Sequence, residues 1–177
     1  MENEKGIIIL VIKEEYDLDI IVDAFIEIPK GSSNKYEYDE ERKVFVLDRA
    51  LFSPMFYPAD YGFIPNTLAE DGDPIDIMVL MANPTFPGCM IRCRVIGMFL
   101  MEDEKGKDEK IIAVPLGDPR YEEIKTIEDM GSHMKKEFEH FFSEYKQLEG
   151  KEVHVRGWAD VEEAHRAIEK AKENYNK

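Results

Sequence analysis

Met90-Ile91-Arg92-Cys93-Arg94-Val95-Ile96-Gly97-Met98-Phe99-Leu100-Met101 is the longest of eight stretches that read as β-strands. The others are Gly6–Ile12, Ile20–Ile28, Lys35–Tyr38, Val44–Leu47, Ile75–Leu80, Lys110–Val114 and Val153–Trp158. Most are short, rich in β-branched residues and separated by Gly, Pro, Asn and Asp, the pattern of a barrel or sandwich. Helical spacing is confined to the last third. Ser132 is placed to cap a helix running to about Glu149, with Phe138, Phe141, Phe142, Tyr145 and Leu148 three and four apart and Gly150 ending it. Asp160 and Glu163 form a start resembling a capping box for a second helix, whose Val161, Ala164, Ile168, Ala171 and Tyr175 mark one face. A shorter helical turn is expected at Thr126, with Asp129 three residues on. Strands grouped first and helices last argue against a doubly wound sheet. The expected class is mainly β with helices (α+β), a small β-barrel with two or three helices packed against it.

The chain has 177 residues and a mass of 20.6 kDa, which predicts a single domain spanning 1–177. A domain of that size buries roughly 70% of its unfolded surface and needs no staples. Ten Phe, eight Tyr and many Ile and Val argue against disorder. The longest apolar runs, Ile7–Ile12 and Ile77–Ala82, have six residues, whereas a membrane-spanning helix needs about 20. The run near the N-terminus is also too short for a signal peptide. Cys89 and Cys93 lie four apart on one expected strand, about 13 Å between Cα atoms, beyond the roughly 7 Å reach of a disulfide. No second Cys or His pair completes a zinc pattern, so a reducing cytoplasm is the expected location. The net charge of −15 opposes binding to nucleic acid or anionic membranes over most of the surface.

The most informative segment chemically is Glu70-Asp71-Gly72-Asp73-Pro74-Ile75-Asp76, four carboxylates within seven residues, immediately before an apolar run. Such density costs energy unless a cation compensates it. In an extended approach Asp71 and Asp73 point the same way, and Asp76 opens the strand. Hard oxygen ligands on a rigid turn suit Mg²⁺ or Mn²⁺. An EF-hand is rejected, since counting from Asp71 the sixth residue is Asp76 rather than Gly and the twelfth is Ala82 rather than Glu. A second acidic turn, Met101–Lys110, reads as a hairpin loop centred on Gly106 that sets Asp103 across from Asp108, with Lys110 pointing the same way as Asp108.

Basic and phenolic residues recur in apolar or tightly turned settings. Lys35 and Glu37 share a strand face, and Asp48 and Arg49 directly follow the strand ending at Leu47. Tyr57 and Tyr61 lie in a proline- and aromatic-rich loop, and Tyr145 and Lys146 near the end of the Phe-rich helix. As a set they are what a phosphate site needs: Arg for bidentate contact, Lys as point charges, Tyr hydroxyls as donors. The four histidines form no metal pair, and His133 and His140 read as packing or subunit-contact residues. No P-loop, Gly-x-Gly-x-x-Gly or Gly-x-Ser-x-Gly occurs, so covalent catalysis and nucleotide cradling have no motif to rest on.

Asp71-Gly72-Asp73-Pro74-Ile75-Asp76 resembles the signature of soluble family I inorganic pyrophosphatases of the short, bacterial type. Glu27-Ile28-Pro29, Lys35-Tyr36-Glu37, Asp48-Arg49, Phe56-Tyr57-Pro58-x-x-Tyr61-Gly62, Asp103, Asp108-x-Lys110 and Phe141-Phe142-x-x-Tyr145-Lys146 match as well, in order. The resemblance covers about Glu27 to Trp158. It implies a five-stranded OB-like β-barrel with flanking helices, and hydrolysis of inorganic pyrophosphate to two orthophosphates with Mg²⁺. Carried over by position, Asp71, Asp76, Asp103, Asp108 and Glu27 hold metal and Asp73 is the catalytic base. Lys35, Arg49, Tyr61, Lys110, Tyr145 and Lys146 bind phosphate, with Glu37 and Tyr57 in support. A symmetric homohexamer is implied too. Barrels of this type also bind single-stranded nucleic acid, but the charge and the lack of an Arg/Lys stripe oppose that reading. A catalytically inactive relative that binds only metal and phosphate is opposed by every carried-over position being filled.

Overall fold

The computed structural model describes residues 19–177, so the expected strand Gly6–Ile12 and the reading of the N-terminal run lie outside the described residues. The strands are β1 (Ile21–Ile28), β2 (Asn34–Asp39), β3 (Val44–Ala50), β4 (Asp60–Phe63), β5 (Asp76–Val79), β6 (Met90–Asp103), β7 (Gly106–Lys107), β8 (Lys110–Pro115) and β9 (His154–Ala159). The helices are α1 (Ser132–Glu144) and α2 (Val161–Tyr175). Pairing runs β1-β4-β5-β8-β6 and returns from β6 to β1, so five strands form a ring, antiparallel except for the parallel pair β5–β8. β9 adds to β6, and β2–β3 is a separate hairpin. The structure is therefore α+β, with an OB-like five-stranded barrel and two α-helices.

The apolar runs are continuous because several strands are covered on both faces. Ile77, Val79, Ile111, Ala113, Cys93 and Val95 pack in one cluster with Ala164, Ile168 and Ala171 of α2. Their neighbours Met78, Leu80, Ile112, Val114, Ile96 and Phe99 pack in a second with Phe138, Phe141 and Phe142 of α1. Alternation along three strands thus feeds two cores, each sealed by one helix.

Several local expectations need correction. Ser132 is the first residue of α1 and the cap position is Gly131, with no side-chain cap. α1 ends at Glu144, so Leu148 stands exposed and Gly150, at φ 72°, ends a following short turn, Gln147–Glu149. On α2, Asp160 caps by accepting from the Glu163 N–H at 2.9 Å, but Tyr175 is exposed. The turn at Thr126 forms as expected, its N–H donating to Asp129 at 2.8 Å. His133 and His140 are exposed in the single chain and do not pack into it. Both cysteines are free thiols.

β4 was not expected, because its four residues lie within a stretch that reads as a loop. Gly62 explains why a strand fits there: a Cβ would lie 1.9 Å from the Phe25 carbonyl oxygen and 2.9 Å from the Ile26 Cα, so β1 and β4 approach only with glycine. Gly97, at φ 150° beside a register shift in β6–β8, is likewise closed in by Ile127 and the Ala159 carbonyl. Gly62→Ala is expected to separate β1 from β4 and to cost several kcal/mol, a drop of roughly 10 °C in melting temperature. Thermal unfolding followed by circular dichroism checks this, and an unchanged midpoint would contradict it.

Candidate active site

The site begins with the register of β5 and β8. Because they run parallel with Asp76 opposite Lys110, the first residue of each strand stands at the same end of the barrel. Lys110 is only 2% exposed. Its Nζ donates to Asp76 Oδ2 at 2.8 Å, to Asp108 Oδ1 at 2.7 Å and to the Tyr61 hydroxyl at 3.2 Å. The Tyr61 hydroxyl in turn donates to Asp76 Oδ2. Burial pulls the Lys110 ammonium down, but Asp76, Tyr61 and Asp108 outweigh it and hold it well above the ordinary lysine range. Burial pushes the Asp76 carboxyl up, and Lys110 counters that push.

The acidic turn leads into β5. It is tighter than the expected extended approach: Gly72 takes φ 93°, its N–H donates to the Ala69 carbonyl at 3.2 Å, and the Asp73 N–H donates to Asp71 Oδ1 at 3.1 Å. Asp71 and Asp73 are exposed yet line the same cavity as Asp76. Across from them, the β6–β7 hairpin forms, but it pairs Asp103 with Gly106 and not with Asp108, whose N–H donates to the Met101 carbonyl at 3.0 Å. Asp103 accepts from Lys146 Nζ at 2.7 Å, which joins the hairpin to the chain just beyond α1. Tyr145 and Lys146 are buried, Tyr145 as the C-cap of α1.

Glu27, on β1, accepts from the Tyr38 N–H at 2.7 Å. Burial pushes its carboxyl up to about 7, with Asp76 adding to the push and the Tyr38 hydrogen bond opposing it. Lys35 pairs with Glu37 and, at 3.3 Å, with Asp48. Asp48 and Arg49 do not follow β3 but belong to it, since the strand continues through a register shift to pair Arg49 with Lys35. Tyr57 is buried, packed edge-on against Tyr61 and tilted against Phe141, and burial raises its phenol and that of Tyr145 above the ordinary range.

All fourteen residues singled out from the sequence line one cavity of about 720 Å³. Twelve carboxylates and eight cationic side chains share that lining, so the cavity remains net acidic. Its acidic donors are all carboxylate oxygens, the chemistry that suits a hard divalent cation. Among the described residues no three His, Cys, Asp or Glu side chains converge on one point, and Lys110 and Lys146 hold the carboxylates they touch.

Two supporting groups were not legible beforehand. Glu149, read only as the end of a helix, accepts from Arg49 Nε at 2.9 Å. Asp60, fully buried, accepts from the Lys30 N–H at 2.7 Å and the Thr85 N–H at 3.0 Å, tying the chain after β1 and the segment before β6 to β4 beside Tyr61. Their partners lie 100, 30 and 25 residues away, so no local pattern could have found them.

A family model described as inorganic pyrophosphatase matches residues 24–176, further towards the C-terminus than the motifs reach. The inorganic pyrophosphatase of Geobacillus stearothermophilus is 54% identical over 156 residues, covering 88% of this chain and 94% of that protein. That of Methanosarcina mazei is 59% identical over 150 residues, covering 85% and 89%. The crystal structure of the Thermus thermophilus inorganic pyrophosphatase superimposes with a TM-score of 0.86 at 47% identity, over 89% of this chain and 92% of that one. With the family model spanning most of the chain and the sequence and fold similarity just given, this chain belongs to the family I inorganic pyrophosphatases.

Proposed function

We propose that this pyrophosphatase splits pyrophosphate into two orthophosphates by direct attack of water, assisted by Mg²⁺ and with no covalent intermediate. One observation carries the reading: a cavity that gathers lysine, arginine and tyrosine side chains yet is lined by more carboxylates than cationic groups. A polyanion gains little from such a lining unless divalent cations accompany it. When bound, Mg²⁺, or Mn²⁺ in its place, neutralises substrate charge and acidifies the attacking water. Asp71, Asp76, Asp103, Asp108 and Glu27 are the oxygen donors for it. Lys110 holds Asp76 and Asp108 in the structure, and its ammonium would be free to meet phosphate where those carboxylates held a cation instead.

Asp73 takes the proton of the attacking water in this reading. It is exposed in the cavity on a turn stiffened by Pro74, and no cationic partner neutralises it among the described residues. Lys35, Arg49, Tyr61, Lys110, Tyr145 and Lys146 hold the phosphates and stabilise charge on the leaving group, and Glu37 and Tyr57 support them. A single catalytic domain over 1–177 and a cytoplasmic location belong to the same reading, the latter supported by two free thiols. No helix among the described residues is long and apolar enough to cross a membrane. Assembly as a homohexamer is supported by the exposed Phe52, Phe56 and Phe86, 60–64% accessible in the single chain.

Asp73→Asn is expected to lower kcat for pyrophosphate by roughly 100-fold or more while leaving the far-ultraviolet spectrum and melting temperature unchanged. Near-normal turnover would refute the base assignment. The raised carboxyl of Glu27 gives a stability prediction in metal-free buffer. The fold binds its proton more tightly than the unfolded chain does, so that stabilisation is complete below about 4.5 and lost as pH rises past about 7. Glu27→Gln should therefore melt several degrees above the wild type at pH 8, with the gap closing towards pH 4.5. A gap independent of pH would contradict the burial argument. Sedimentation velocity at micromolar concentration is expected to give a hexamer, and a monomer would refute the assembly.

A further inference from the structure

Arg49 reaches the cavity from β3 and is gripped on two edges of its guanidinium. Nε donates to Glu149 Oε1 at 2.9 Å, and Nη1 pairs with Asp48 Oδ2. Nη2 makes no hydrogen bond among the described residues. The Glu149 side chain is only 6% exposed, a costly setting for a carboxylate unless a cation compensates it. Lys151 approaches its other oxygen at 3.7 Å while also pairing with Glu104 at 3.2 Å. The turn that carries Glu149 begins immediately after Lys146, the residue that holds Asp103, and ends at Gly150 in the left-handed region. Lys146 and the short turn after it therefore tie down two groups on different walls of the cavity, the β6–β7 hairpin and β3.

We propose that Glu149 is a positioning residue for pyrophosphate hydrolysis, fixing the plane of the Arg49 guanidinium so that its uncommitted nitrogen meets a phosphate oxygen without reorganising. The inference rests on the reading of Arg49 as a phosphate-binding residue. A planar fork is worth more than a point charge only while its orientation is held. Asp48 alone sits next to Arg49 in sequence and moves with it on β3. Glu149 comes from a separate element and anchors the side chain to the rest of the site.

The test is a double-mutant cycle in kcat/KM for pyrophosphate at saturating Mg²⁺, with wild type, Arg49→Ala, Glu149→Ala and the double variant. Glu149→Ala is expected to lower kcat/KM roughly 10- to 100-fold in the wild-type background, and to change it little once Arg49 is already Ala. Glu149→Gln keeps an acceptor oxygen and should recover most of the loss. An equal loss in both backgrounds, or no recovery in Glu149→Gln, would make Glu149 a purely structural or purely electrostatic group and overturn the proposal. Should Glu149→Ala not fold, Glu149→Asp, which keeps the charge and withdraws the oxygen by one methylene, enters the same cycle with the same expectations. If Arg49→Ala itself were as active as wild type, the assignment of Arg49 to substrate would fail and this proposal with it. A loss in Arg49→Ala with additive Glu149→Ala would leave that assignment standing and remove only Glu149.

Discussion

A lysine ammonium almost shut off from solvent sets the terms for the rest of this molecule. Lys110 stands at the mouth of the barrel with Asp76 and Asp108 within 2.8 Å and the Tyr61 hydroxyl at 3.2 Å. Neither the ammonium nor the carboxylates tolerate burial alone, and removing one partner leaves an uncompensated charge. The parallel register of β5 against β8 and the close approach of β4 to β1 at Gly62 bring those partners together. The same register aims the acidic turn, the β6–β7 hairpin and the end of α1 at one cavity.

That arrangement is balanced between two sets of counter-ions. With lysines in contact, the carboxylates of Asp76, Asp108 and Asp103 are already compensated. In the proposed reaction a divalent cation at these oxygens would take over the part Lys110 and Lys146 play here, and would free those ammonium groups for phosphate. On that proposal the excess of carboxylates over cationic groups in the lining would make tight anion binding depend on the metal. Glu27 follows the same logic. Its burial, with Asp76 adding to the push, raises the carboxyl to about 7, and a nearby cation would favour the ionised form.

What could be read from the sequence was what is local. The turn Asp71–Asp76, the hairpin around Gly106 and the cap of α2 at Asp160 each depend on residues within a few positions, and each forms where expected. The gathering of the candidate residues into one cavity was legible for the same reason, because its carboxylates arrive in short, dense groups. What escaped depends on distant partners. β4 exists because the backbone of β1 passes within contact of Gly62, and β3 runs on through Asp48 and Arg49 because Lys35 and Asn34 are there to pair. The early end of α1 and the burial of Glu149 beside Arg49 likewise answer to packing across the barrel, which no spacing rule encodes.

The most direct test of this account is orthophosphate release from pyrophosphate by the purified wild-type protein, with and without millimolar Mg²⁺, beside ATP as a second substrate. Rapid release from pyrophosphate that requires Mg²⁺, with little from ATP, is the predicted result. Equal release with and without the metal, or none in either condition, would contradict the account.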